Sequence, residues 1–219
     1  MMSSGRWAVG VAVLATVTLS ACGDATAPAT TAEAPRTACP DRMARVPGRP
    51  VCIDVREARI VGGRAEPATD APAATDLTWH DAESACRSSG FRLCSIDEFE
   101  LACAGVDRER RWAYGSEESA HRCNIAEADD DLSARAIVAS GTFPDCRTPE
   151  GVFDLSGNAL EWLADEGGPA GDLRALRGGS AFQPASSARC VLDEAGWLLP
   201  DERAGGVRCC ASIDGPPSR

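Results

Sequence analysis

The stretch that decides the fold is Arg177-Gly178-Gly179-Ser180, followed by Ala181-Phe182-Gln183-Pro184-Ala185-Ser186-Ser187-Ala188-Arg189-Cys190. Paired glycines before a serine are a strong turn signal. Gly, Pro, Asp and Ser interrupt the chain from 104 to 206, so the sequence predicts a loop-rich domain there, with short strands at apolar runs such as 137–139. Between Ser180 and Cys190 there is no cysteine, and the two polar side chains of interest are Gln183 and Ser187.

Further short blocks surround this stretch in a fixed order. They are Cys39-Pro40-Asp41-Arg42-Met43, Cys52-Ile53-Asp54, Thr78-Trp79-His80-Asp81-Ala82 through Cys86, Gly90-Phe91-Arg92-Leu93, Glu98-Phe99-Glu100 through Cys103, Cys123-Asn124-Ile125, Asp154-Leu155-Ser156-Gly157-Asn158-Ala159-Leu160-Glu161-Trp162 and Gly206-Val207-Arg208-Cys209. In this order they resemble the formylglycine-generating enzyme family, also called the sulfatase-modifying-factor domain. The resemblance covers residues 39–213.

The resemblance implies an α+β domain with a C-type-lectin-like topology, loop-rich and held together by disulfides. The residues themselves predict two short helices. Thr78 with Asp81 and Ser95 with Glu98 are spaced as capping boxes, and Gly90 and Gly105 are suitable C-terminal stops.

The N-terminus is typical of an exported lipoprotein. Arg6 precedes an apolar run over residues 7–19, and Leu19-Ser20-Ala21-Cys22 has the pattern of a lipoprotein cleavage site. A membrane span is the alternative, but about 13 residues at about 1.5 Å each cover only about 20 Å of a roughly 30 Å hydrocarbon core. We therefore expect a signal peptide over 1–21 and lipidation of Cys22.

Residues 22–38 are rich in Ala, Thr and Pro and predict a disordered linker. The chain then provides one domain over 39–213 and a disordered tail over 214–219. This organisation predicts an extracytoplasmic protein of the cell envelope, periplasmic or surface-facing and attached to the membrane by its lipid.

The chain has eleven cysteines, and lipidation of Cys22 leaves an even set of ten. The family resemblance implies the pairs Cys86–Cys209 and Cys103–Cys190. Short loops favour Cys39–Cys52 and Cys123–Cys146, which leaves Cys94 with Cys210. The sequence alone leaves this connectivity open.

The formal net charge is −11, and the 22 basic residues are all arginine. An acidic chain of this kind is a poor partner for nucleic acid or for anionic membrane faces. The absence of lysine excludes a lysine Schiff base and a P-loop lysine.

In the active members that this chain resembles, two cysteines after the Gly-Gly-Ser turn bind copper and oxidise a substrate cysteine to formylglycine. Gln183 and Ser187 stand at the nearest offsets here. An amide and a hydroxyl cannot replace two thiolates as copper(I) ligands, so we expect no copper site and no catalytic residues. Cys190 or Cys210 acting unpaired would be the exception.

The resemblance also implies calcium. Asp154, Gly157, Ala159 and Glu161 match one calcium loop of the family, and Asn124 and Ile125 match a second; oxygen ligands of this kind suit the ion. The alternative is that Asp154 caps a turn and Glu161 pairs with an arginine such as Arg177.

The two histidines, His80 and His121, lack neighbours at ligand spacing and predict no metal site. The acidic run 127–131 predicts a solvated loop. Most tryptophans predict core packing, but Trp197 lies in a variable-looking loop and is the best candidate for a ligand contact.

Two functional hypotheses follow. The first is a non-catalytic binding or scaffold module that recognises a protein, peptide or glycan. The second is a formylglycine-generating or related oxidase acting on cysteines of exported proteins. The missing cysteine pair favours the first.

Overall fold

The computed structural model describes residues 38–213 except 120, 128 and 193–195. The predicted signal peptide, Cys22, most of the linker and the tail lie outside the described residues. All described residues belong to one unit of the chain, Pro35–Arg219. None of the helices in this part of the chain has the length and hydropathy needed to cross a membrane.

The fold is a loop-rich mixture of short strands and helices, as expected. In chain order the elements are β1 Met43–Arg45, β2 Val51–Asp54, β3 Ala58–Val61, β4 Arg64–Pro67, α1 Trp79–Ser88, β5 Arg92–Leu93, α2 Ile96–Ala104, a 3₁₀ helix Leu132–Ala134, β6 Glu161–Gly167, β7 Leu173–Arg177, a 3₁₀ helix Ala185–Ala188, β8 Gly196–Leu198 and β9 Cys209–Ser212.

These strands form three antiparallel sheets. The four-stranded sheet has the order β1-β2-β9-β5, the three-stranded sheet has the order β6-β7-β8, and β3 pairs with β4 alone. In the first sheet Ile53 lies opposite Cys210 and Leu93 lies opposite Cys209. The C-terminal strand therefore lies between N-terminal strands, which joins the two ends of the domain.

Both predicted helices are confirmed with their capping boxes. The Thr78 hydroxyl accepts from the Asp81 amide, and the Asp81 carboxylate accepts from the Thr78 amide. Ser95 and Glu98 make the same reciprocal pair at α2. Each box satisfies two of the amides that a helix start leaves without partners. The expectation of a strand over 137–139 is wrong, because Val138 donates its amide to the Asn158 side chain rather than to a strand.

Two apolar clusters form the core. One packs α2 against the first sheet, with Ile53, Phe99 and Leu155 fully buried. The other packs α1 against β6 and β9, around the fully buried Trp162. Three disulfides link these elements: Cys86–Cys209, Cys94–Cys210 and Cys103–Cys190. The helices are therefore attached covalently to the C-terminal third of the chain.

Candidate functional site

The Gly-Gly-Ser turn begins where β7 ends, and its glycines are required by geometry. Gly178 and Gly179 have φ values of +94° and +70°, which side chains disfavour. A Cβ on Gly179 would lie 2.9 Å from Cα of Ala188, so the turn packs directly on the second 3₁₀ helix. The Gly178 carbonyl accepts from the Gly157 amide at 2.7 Å. The turn therefore positions both the following segment and the Asp154 loop.

The segment after the turn is held at several points along its length. The Ala181 amide donates to the Asn158 carbonyl, and the Gln183 carbonyl accepts from the Ala126 amide, both at 2.9 Å. The Cys190 amide donates to the Arg111 carbonyl at 2.7 Å. These bonds, together with the disulfide of Cys190, fix the backbone of the segment from Ala181 to Cys190.

Gln183 and Ser187 lie in this segment, at the positions singled out in the sequence. Both are partly buried, and Oε1 of Gln183 has no hydrogen-bond partner among the described residues. The Ser187 amide donates to the Pro184 carbonyl in the 3₁₀ turn. In the described structure, no titratable base is in hydrogen-bond contact with either side chain.

Every cysteine of the described part of the chain forms a disulfide. The pairs are Cys39–Cys52, Cys86–Cys209, Cys94–Cys210, Cys103–Cys190 and Cys123–Cys146. These are the five pairs expected from the family resemblance and the short loops. Cys190 and Cys210 are both in disulfides. Neither is therefore the unpaired thiol that was considered as the exception.

The Asp154 loop is a strained turn built around buried polar groups. Asp154 and Asn158 both have positive φ values, +58° and +57°, and Gly157 has +88°. A Cβ on Gly157 would lie 2.5 Å from the Asn124 carbonyl oxygen. The Asp154 carboxylate accepts from the Ser140 hydroxyl and the Gly141 amide, each at 2.7 Å. Asp154 therefore caps the turn at Ser140 and Gly141, as in the alternative to calcium binding.

Glu161 pairs with Arg208, whereas the sequence alternative named Arg177. The Arg208 guanidinium donates to both carboxylate oxygens at 2.8–3.0 Å, and both side chains are 1% exposed. Arg208 also donates to the carbonyls of Asp54 and Phe153. Burial raises the pKa of Glu161, and the Arg208 charge opposes that rise. Arg177 instead lies 3.4 Å from Glu100.

Glu57 is a buried carboxyl that no sequence pattern indicated. It is 1% exposed and accepts from the Ala159 amide at 3.0 Å and from the Asn158 side chain. Burial, together with the nearby carboxylates of Asp154 and Glu161, raises its pKa well above the ordinary value of 4.5. Its partners are about a hundred residues away along the chain, so no local spacing could have identified it.

The side chains of the implied calcium ligands are engaged in contacts within the protein. Both oxygens of Glu161 accept from a guanidinium, and a bound cation beside Arg208 would repel it. Oδ1 of Asn124 accepts from Arg135 at 3.1 Å. No group of three or more His, Cys, Asp or Glu side chains in the described residues is placed to hold a metal. Gly157, Ala159 and Ile125 would supply only backbone oxygens.

The histidines and Trp197 each make contacts within the protein. His80 and His121 have largely exposed side chains and lie 3.7 and 3.0 Å from Asp201 and Glu127. Trp197 is in β8 opposite Ala175, partly buried against the first apolar cluster. A Cβ on Gly167 would lie 2.5 Å from its ring. Trp197 therefore has a packing role here, and a ligand contact by it stays a prediction.

A cavity of about 560 Å³ lies between the 114–132 loop and the segment after the Gly-Gly-Ser turn. Its apolar surface comes from Tyr114, Ile125, Leu132, Phe182, Pro184 and Ala185. Cys123 also lines it, and its disulfide with Cys146 fixes that wall within a small apolar cluster that includes Ile125 and Ala188. A cavity of this size, adjacent to the segment after the Gly-Gly-Ser turn, is a candidate binding site.

These features define a disulfide-linked, C-type-lectin-like domain with a Gly-Gly-Ser turn and no thiol beside it. The model of the "Sulfatase-modifying factor enzyme 1-like domain" matches residues 50–213, so the chain belongs to this family. Over 154 residues it is 29% identical to "Inactive C-alpha-formylglycine-generating enzyme 2" of Mus musculus, covering 64% of this chain and 49% of the relative.

A second relative is the "Formylglycine-generating enzyme" of Streptomyces coelicolor, 29% identical over 208 residues, with 80% of this chain and 65% of the relative covered. The chain spans about half the length of the inactive mammalian relatives it matches. The structure of PvdO from Pseudomonas aeruginosa aligns with a TM-score of 0.50 at 20% identity, over 71% of this chain and 70% of PvdO. The fold is therefore that of the formylglycine-generating enzymes.

Proposed function

We propose that this protein is a non-catalytic binding module, attached to the cell envelope by a lipid on Cys22, that recognises a protein, peptide or glycan. The observation that carries the proposal is the segment from Ser180 to Cys190. It contains no thiol before Cys190, and Cys190 is bonded to Cys103. Without a pair of thiolates, the chemistry of the active relatives has no copper(I) ligands in this segment.

The relatives support the same conclusion without deciding it. One group is named inactive, whereas the Streptomyces coelicolor relative is named a formylglycine-generating enzyme. That second name is the observation that favours the alternative function, an oxidase acting on cysteines of exported proteins. The two groups have similar sequence identity to this chain, so overall identity does not discriminate between the two functions. The proposal therefore rests on the residues between Ser180 and Cys190.

A thiol count tests the proposal. We would purify the chain with Cys22→Ser under oxidising conditions, unfold it without reductant and titrate free thiols. The expected result is no free thiol and no copper(I) binding. One or two reactive thiols, with copper bound at matching stoichiometry, would contradict the proposal and favour the oxidase.

The lipid anchor has its own test. Metabolic labelling with a palmitate analogue should modify the native chain and should fail with Cys22→Ala, which should also move the protein from the membrane fraction to the soluble fraction. Native protein in the soluble fraction, or labelling that persists in Cys22→Ala, would contradict the lipid anchor.

We propose that calcium binds at these loops, where it has to displace the contact between Glu161 and Arg208. Thermal unfolding with and without millimolar calcium tests this. A ligand at 100 times its dissociation constant stabilises the native state by about 2.7 kcal/mol. We propose a calcium-dependent rise of several degrees, and an unchanged melting temperature would assign both loops to protein contacts alone.

A further inference from the structure

The hairpin of β3 and β4 leaves one edge of its small sheet open. Val61 and Arg64 close the hairpin across a two-residue turn, and pairs in an antiparallel ladder alternate between bonded and non-bonded from that end. The pair of Ile60 with Ala65 is therefore a non-bonded one. On the β4 side this is visible directly, because the Ala65 amide and carbonyl bond to side chains outside the hairpin. The Ile60 amide and carbonyl accordingly point away from β4, out of the sheet.

This outer edge of β3 is covered at its start and uncovered at Ile60. The Ala58 amide donates to the Val207 carbonyl at 3.0 Å. Further along, that neighbouring segment pairs with Leu77 instead, through Gly205. Among the described residues, neither the amide nor the carbonyl of Ile60 has a partner beyond the hairpin. Two backbone groups are therefore available to an added strand.

A cavity of about 320 Å³ opens between this edge and α1. Ile60 and Leu77 line it together with Ser84 and Ala85 of α1. Ala65 is fully buried in the apolar cluster that includes α1, and cross-strand partners lie on the same face of a sheet, so Ile60 also faces α1. A residue paired with Ile60 on an added strand would place its side chain on that face, inside the cavity.

The edge also presents uncovered apolar surface. The exposed fractions of Ile60 and Val61 are 37% and 46%, although both are large aliphatic residues. Native proteins usually protect an open edge with charge, proline or a covering segment. Adjacent aliphatic residues at such an edge therefore indicate an interaction surface.

The charges beside the cavity indicate the sign of the partner. Arg203 is shared between Asp76 and Asp81, at 3.6 and 3.4 Å. One guanidinium therefore faces two carboxylates, at distances longer than those of a well-formed charge-assisted bond. Because alternate residues of a strand share a face, a cation two positions from the inserted side chain would reach these carboxylates, whereas an anion there would be repelled.

We propose that this edge docks an extended segment of a partner protein, which pairs its backbone with Ile60 and inserts an aliphatic side chain between Ile60 and α1. A basic residue two positions from that side chain contacts Asp76 and Asp81. β-Branched residues suit the intervening positions, because they fit an extended, half-buried strand. The inference goes beyond the proposed function, since it uses no residue between Ser180 and Cys190 and stands whether or not that segment is catalytic.

The test uses the full-length chain in mild detergent and a fluorescent Ser-Lys-Thr-Ile-Thr-Lys-Ser peptide, with anisotropy as the readout. The peptide is symmetric, so the direction of the added strand does not matter. We expect saturable binding with a dissociation constant between about 10 µM and about 1 mM.

Two control peptides separate backbone pairing from charge. A peptide N-methylated at its isoleucine keeps every side chain but cannot donate to the Ile60 carbonyl, so it should bind at least about tenfold more weakly. A peptide with glutamate in place of both lysines should also bind at least about tenfold more weakly. Added salt should weaken the lysine peptide.

Variants locate the site. Ile60→Thr keeps a branched side chain at the edge but removes apolar surface, and should weaken binding about three- to tenfold. Asp76→Asn should weaken the lysine peptide about threefold, and asparagine tolerates the φ of +57° at this position. Val106→Thr and Asp172→Asn are matched controls at exposed positions outside the cavity, and they should change nothing.

Three results would overturn the proposal: equal binding of the N-methylated peptide, no binding at millimolar concentration, or binding to Ile60→Thr as tight as to the parent protein. A second copy of this chain is the other occupant that an open edge can take. Light scattering without peptide should show a monomer. A dimer that Ile60→Thr dissociates would assign the edge to self-association and would also overturn the proposal.

Discussion

Arg208→Met removes the cationic partner of a buried carboxylate. Glu161 is 1% exposed, and in the variant it would keep its burial but lose the guanidinium that contacts both of its oxygens. Two backbone carbonyls, of Asp54 and Phe153, would lose a donor as well. Breaking a buried pair by removing one partner costs about 3–5 kcal/mol, so the variant should melt roughly 6–20 °C lower for a domain of this size.

A double-mutant cycle isolates the pair from these other losses. Glu161→Gln alone and Glu161→Gln with Arg208→Met complete the cycle. The double variant should be less destabilised than the sum of the singles, with a coupling of about 2–3 kcal/mol. Urea unfolding with intact disulfides, followed by tryptophan fluorescence, measures all four proteins.

The pH dependence supplies a second signature. Without Arg208, Glu161 can avoid a buried charge only by protonation, so its folded pKa should rise further above the unfolded one. The variant should therefore be less destabilised, relative to the parent protein, at pH 5 than at pH 8. Its native state keeps a proton on Glu161 that the unfolded state loses as the pH rises. A loss below about 1 kcal/mol, or a coupling near zero, would refute this reasoning.

Three further predictions concern the same framework. Gly157→Ala should lower the free energy of unfolding by about 2–4 kcal/mol, because its Cβ would meet the Asn124 carbonyl and because a positive φ is strained for alanine. Gly151→Ala, with open space around it, should lower it by only about 1 kcal/mol, and equal melting temperatures of the two variants would contradict this. Glu57→Gln should make the free energy of unfolding depend less on pH. In the parent protein the raised folded pKa of Glu57 makes stability fall as the pH rises above 4.5. A pH profile unchanged from that of the parent protein would contradict this. Thr78→Ala should cost about 1 kcal/mol in urea unfolding by removing a helix cap, and a change near zero would refute the capping role.

Local signals in the sequence predicted the helices well. The boxes at Thr78 and Ser95 use contacts three residues apart, so their spacing alone locates each helix start. The disulfides were expected because the family resemblance and the short loops constrain them. The strands were harder to predict, because strands of two to five residues, such as β5 and β7, are too short to show an alternating pattern.

The buried charges could not be predicted from spacing. Arg208 contacts Glu161 across 47 residues, and Glu57 contacts Ala159 across 102, so only the folded topology brings them together. Cross-strand geometry places Arg177 opposite Glu161 in β6 and β7, yet its side chain lies near Glu100. The arginine choice made from the sequence was therefore reasonable for the backbone and wrong for the side chains.

The oxygen-dependent conversion of a Cys-x-Pro-x-Arg peptide tests the central claim most directly. The purified protein is incubated with copper and oxygen, and the peptide is analysed by mass beside an active member of the family. With its ten domain cysteines in disulfides and no thiol between Ser180 and Cys190, the protein should leave the peptide mass unchanged. Conversion of the peptide cysteine to formylglycine would contradict the account.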